Sequence, residues 1–142
     1  MRNLKAIITA MSREHVELIR RYFEEWNVYG GDGTEHFRHP EIEIFDPPNF
    51  PDADRYVGEK VVRERVESYM EAGWGGIFRD LEFFDAGDEV LVSMRVTGTS
   101  PIGGVPLDVK ATQLFLVDDG QIRRIRQFLS REEGMKAAGL EG

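Results

Sequence analysis

The chain has 142 residues, enough for one domain that buries a core and still leaves room for an internal pocket. Its 26 acidic side chains against 18 basic ones leave a formal charge of -8, a field that disfavours nucleic acid and anionic membrane surfaces as partners. There is no cysteine, which excludes a disulfide framework, a thiol nucleophile and thiolate metal ligation, and fits a reducing, cytoplasmic setting.

Residues 1–11 read as an N-terminal tail ahead of a single domain over 12–142; the apolar stretch 4–10 is far too short to span a bilayer. Ser12 has the chemistry of a helix N-cap, Glu14 and Glu17 suit the first turn, and Val16, Leu18, Ile19, Phe23 and Trp26 recur at helical spacing. This predicts an amphipathic helix that the glycines at 30, 31 and 33 end. A short second helix over 34–37 is closed by Pro40, and a strand follows over 42–45. Pro47, Pro48 and Pro51 then impose a coil lasting to about Gly58, a proline-rich loop of the kind that covers something.

Val61, Val62, Val66, Tyr69 and Met70 recur at helical spacing over 59–72, with Arg63, Glu64, Arg65 and Glu67 as the solvated face. After the glycines near Trp74 the pattern is strand-like in four runs, 77–85, 89–99, 105–117 and 121–130, joined by hairpin chemistry at 86–88, 101–104 and 118–120. A short helix over 131–138, stopped by Gly139, closes the chain. Helices first and an antiparallel meander afterwards give the α+β class, with helices packed on one face of a curved sheet. Leu114, Leu116, Ile122 and Phe128 then point outward and are too apolar for water, so a homodimer through the sheet face is expected.

Strand alternation sends Val92, Met94 and Val96, then Ala111, Gln113 and Phe115, then Ile125, Gln127 and Leu129 to the inner face. Glutamines on an otherwise apolar face suggest a binding cavity with polar anchor points rather than a dry core. Trp26, Phe45, Tyr56, Tyr69, Trp74 and Phe78 are expected at its rim or roof. A slip of one register would turn Gln127 towards a partner instead. Asp46, just before Pro47, is either a turn acid in solvent or a carboxylate enclosed by apolar walls. Tyr22 is either a core ring with its hydroxyl in water or a donor aimed into the cavity. His15, His36 and His39 are scattered without carboxylates at ligand spacing, so no metal and no cofactor are expected.

The order of elements and several strings resemble the SnoaL-like group of the nuclear-transport-factor-2-like superfamily, which includes polyketide cyclases and ketosteroid isomerases. The strings are Arg21-Tyr22-Phe23, Ile44-Phe45-Asp46-Pro47, Tyr56-Val57-Gly58, Asp85-Ala86-Gly87-Asp88, Asp119-Gly120-Gln121-Ile122 and Glu132-Glu133-Gly134-Met135. The resemblance implies a cone-shaped sheet wrapped around a long helix, with a pocket for a small hydrophobic molecule at its wide end. It implies Asp46 as proton shuttle and Tyr22 as oxyanion donor. Where ketosteroid isomerases hold a second, protonated acid, this chain has Gln113. Two functions follow from it: a cofactor-independent isomerase, cyclase or hydratase acting beside a carbonyl, or a non-catalytic small-molecule binding or dimerisation module of the same fold.

Overall fold

The computed structural model describes residues 4–71, 76–99 and 103–140, with side chains from Ser12 onward except Asp32. Helix α1 (Leu4–Tyr29) begins eight residues before Ser12, so the stretch expected as a tail is helical from Leu4. The physical reason is the absence of any glycine or proline before Gly30, so Ser12 interrupts nothing. A 3-10 segment (Gly31–Phe37) leads into β1 (Arg38–Phe45), which pairs with the three-residue β2 (Arg55–Val57). Helix α2 (Glu59–Glu71) follows, then β3 (Ile77–Ala86), β4 (Glu89–Thr99), β5 (Pro106–Asp118), β6 (Gln121–Phe128) and α3 (Arg131–Ala137).

One curved, open six-stranded sheet results, in the order β2-β1-β6-β5-β4-β3. The hairpins from β3 to β6 are antiparallel as expected, but β1 joins β6 in parallel, and β2 forms at the end of the segment where the prolines predict coil. Pro40, expected to close a helix, lies inside β1 where the register with β6 shifts between Arg38 and Glu43. A proline has no N–H to give a ladder, so a bulge accommodates it.

The main core lies on the inner face, where Leu18, Ile19, Phe23 and Trp26 of α1 and Val62 and Val66 of α2 meet Val90, Val92, Met94 and Val96 of β4 and Phe115, Val117, Ile122 and Ile125. The outer face is not bare. Leu91, Leu114 and Phe128 are buried there with Met135, Ala137, Ala138 and Leu140 of and beyond α3. Gly134 permits this approach, since a Cβ at that position would lie 2.5 Å from Thr112 Cγ2. Helices therefore occupy both faces. Of the four residues expected to meet a second copy, Leu114 and Phe128 are covered by α3 and Ile122 belongs to the inner core. Among the described residues no helix is long and apolar enough to cross a membrane.

Candidate functional site

A cavity of about 470 Å³ opens between α1, α2 and the inner face of β5 and β6. Tyr22 and Trp26 reach it from α1, Val66 and Tyr69 from α2, and Ala111, Gln113, Ile125 and Gln127 from the sheet, while Phe78 and Val96 close one side. Pro47 and Phe50 bring the proline-rich loop over it, and Leu129 stands half-exposed beyond β6. The two glutamines sit directly opposite one another on β5 and β6. Gln127 therefore faces inward, in the register that alternation along β6 gave.

Asp46 is buried, its side chain 3% exposed, but it does not line the cavity. Its carboxylate is filled. Oδ1 accepts from Arg65 at 3.1 Å and from the Tyr69 hydroxyl at 2.8 Å. Oδ2 accepts from the Tyr56 hydroxyl at 3.2 Å and from the Asp54 backbone N–H at 3.3 Å. Two donors on each oxygen use the roughly four lone-pair positions a carboxylate offers. The Arg65 guanidinium also stacks over the rings of Tyr56 and Tyr69, 4.8 and 4.4 Å from their centroids, which locks the pair in place.

Arg65 belongs by charge pattern to the solvated face of its helix, yet it lies one turn before Tyr69 and beside Val66, which is buried. The i, i+4 relation with Tyr69 was the available signal. The same network closes the base of the proline-rich loop, because Asp46 N–H donates to Asp54 O at 3.0 Å while Asp54 N–H donates back to the carboxylate. The loop's Asn49 reaches Glu133 of α3 at 3.4 Å, while its Pro47 and Phe50 line the cavity. Phe50 and Pro47 went unassigned as lining residues because no periodicity operates in a coil.

Tyr69 connects this network to the cavity. Its hydroxyl donates to Asp46 and accepts from Gln127 Nε2 at 3.0 Å, and the same nitrogen donates to Phe45 O at 3.3 Å. Burial raises the Tyr69 phenol above its ordinary pKa; the Gln127 donor opposes that, and the bond to Asp46 reinforces it.

Tyr22 occupies a different environment. Its ring centroid lies 5.2 to 5.9 Å from those of Phe23, Trp26, Phe37 and Phe115, mostly edge-on. Burial pushes its pKa up to about 12, with the positive charge of Arg38 pulling the other way. Arg38 opens β1 with its side chain 2% exposed, and its nearest carboxylates, Glu59 and Glu35, are 3.8 and 3.9 Å away. Among the described residues none of its guanidinium nitrogens has a hydrogen-bond partner. Trp26 Nε1 is likewise buried without a partner.

The structure thus brings Tyr22 and Gln113 to one cavity and sets Asp46 behind Tyr69, with no hydrogen bond between Asp46 and Tyr22 among the described residues. Of the other residues expected to line the cavity, Trp26, Tyr69, Phe78, Ile125, Gln127 and Leu129 do so. Val92, Met94 and Phe115 are packed in the core, Tyr56 bonds Asp46, and the Phe45 ring lies under Arg55. Trp74 falls outside the described residues.

The pattern of the SnoaL-like domain matches residues 19–125. No curated protein matches the chain in sequence. Among solved structures, a proposed polyketide cyclase of Xanthomonas campestris superposes with a TM-score of 0.71 at 18% identity, covering 89% of this chain and 98% of that one. TerC, co-crystallised with polyporic acid, gives 0.69 at 16% identity over 89% and 98%. A protein of ketosteroid-isomerase-like fold from Catenulispora acidiphila, in complex with trimethylamine, gives 0.67 at 13% over 88% and 94%. At these identities the likeness is one of fold.

Proposed function

Because the chain belongs to the SnoaL-like domain family, we propose that its cavity holds an apolar molecule bearing a carbonyl and moves a proton on it without a cofactor. The observation that carries this reading is that Tyr69 lines the cavity while its hydroxyl donates to Asp46 at 2.8 Å. In the forward step the substrate C–H beside the carbonyl gives its proton to Tyr69 Oη as the phenol passes its own proton to Asp46 Oδ1. The electron pair moves onto the carbonyl oxygen, where the Tyr22 hydroxyl and the Gln113 amide stabilise the enolate. Returning the proton to another carbon completes an isomerisation; attack of the enolate carbon on a second carbonyl, whose oxygen takes up the electron pair and then the proton returned by Asp46 through Tyr69, completes a cyclisation. Asp46 acts through Tyr69 rather than by direct contact.

A second reading, a binding module without turnover, is favoured by the saturation of Asp46, since its carboxylate already accepts four donors from the protein itself. Deuterium uptake separates the two. With 2-tetralone in D2O, the proton-transfer reading expects exchange beside the carbonyl well above the uncatalysed background. Tyr69→Phe should cut that exchange by roughly a hundredfold or more while the dissociation constant holds. Binding of 2-tetralone with background exchange only would leave the module reading in its place.

A further inference from the structure

The hydrogen bonds that run from Asp46 to the cavity have a fixed direction. A carboxylate paired to a guanidinium only accepts, so Tyr69 must spend its single proton on Asp46 Oδ1. The Tyr69 oxygen is then an acceptor, and so is the carbonyl of Phe45; Gln127 meets both with Nε2, which uses both of its amide hydrogens. A flipped amide would put its oxygen against two acceptors. Only Oε1 of Gln127 remains. That atom has no hydrogen-bond partner among the described residues and is not fully buried, and Gln127 is a residue of the cavity wall.

We propose that Gln127 is a specificity-determining residue that presents a fixed acceptor to the ligand and selects apolar molecules carrying a hydroxyl or enol O–H over their ether or hydrogen counterparts. This rests on the reading of the cavity as a small-molecule site, and it narrows the substrate class to a carbonyl compound that also carries a hydrogen-bond donor. Asp46 sets the polarity from two residues away without touching the ligand. A polar group built into an apolar wall discriminates strongly because the wrong ligand leaves it unpaired.

The test compares 2-naphthol with naphthalene and 2-methoxynaphthalene by calorimetry on the full chain. Hydrophobic transfer alone ranks 2-naphthol last of the three. The proposal expects 2-naphthol to bind about tenfold or more tightly than either, and Gln127→Met to abolish that preference while keeping affinity for naphthalene. Tyr69→Phe, which breaks the relay while keeping the ring, should narrow it and serves if Gln127→Met does not fold. Equal affinity of the wild type for all three, or a preference that survives Gln127→Met, overturns the role of Gln127 and leaves the cavity reading standing; no binding of any of them overturns both. Independently of ligand, the side-chain amide protons of Gln127 should be protected from exchange. Exchange at the rate of an unstructured glutamine would overturn the fixed polarity.

Discussion

The two ends of β1 carry buried charges and treat them in opposite ways. At its start, Arg38 is enclosed beside an aromatic nest, with carboxylates 3.8 and 3.9 Å away and no hydrogen bond donated by its guanidinium among the described residues. Just past its end, Asp46 accepts four hydrogen bonds, one of them from a paired guanidinium. A buried ion is tolerated when its polar atoms are satisfied and is costly when they are not. The Asp46 end is thus a rigid junction tying together β1, β2, α2 and the loop over the cavity, while the Arg38 end supplies an electrostatic field to Tyr22.

The largest effect should come from emptying the junction. Asp46→Ala leaves Arg65, Tyr56, Tyr69 and the Asp54 N–H without their acceptor, and the loss should be about 3–5 kcal/mol in urea unfolding, as for other buried pairs broken on one side. A loss below about 1 kcal/mol would refute the comparison, because it would mean the network is not holding the fold.

The next effect is on pH. Tyr22 keeps its proton to about 12 when folded and to 10.0 otherwise, so its contribution is complete below pH 10 and is lost as pH rises towards 12. In that window the unfolded chain deprotonates first, and stability should fall by roughly 2–3 kcal/mol. Tyr22→Phe should lack this part of the fall; identical alkaline curves for the two proteins would count against a sequestered phenol.

The smallest effect should be at Arg38. Replacing an under-bonded cation with an apolar chain of similar length is often neutral or stabilising, so Arg38→Met should change the unfolding free energy by about 1 kcal/mol or less, towards greater stability. Removing the positive charge should also move the Tyr22 titration further up, read by tyrosinate absorbance. A large destabilisation would show that Glu35 and Glu59 hold this arginine as firmly as Arg65 is held by Asp46.

Much of the site was legible in the chain. Strand alternation placed Gln113 and Gln127 on the inner face because a pleated strand repeats every two residues whatever it packs against. Helical spacing likewise brought Trp26 and Tyr69 to the core side of their helices. Arg65 escaped because its helix shows charges at 63, 64, 65 and 67, and a run of charges does not reveal which one meets a buried carboxylate on another element. The outward leucine at 114 was visible, but its cover was not, since the cover is a helix from the end of the same chain.

The sequence by itself determined the α+β class, the antiparallel hairpins from β3 to β6, the amphipathic faces of α1 and α2 and the polar points on the sheet, all of which follow from local periodicity and turn chemistry. Tertiary structure alone decided that β1 runs parallel to β6, that α3 covers the outer face, and that Asp46 bonds Tyr69 and Arg65 rather than Tyr22. Those outcomes depend on which distant groups satisfy a buried charge or bury an apolar face together, and such pairings leave no periodic trace along the chain.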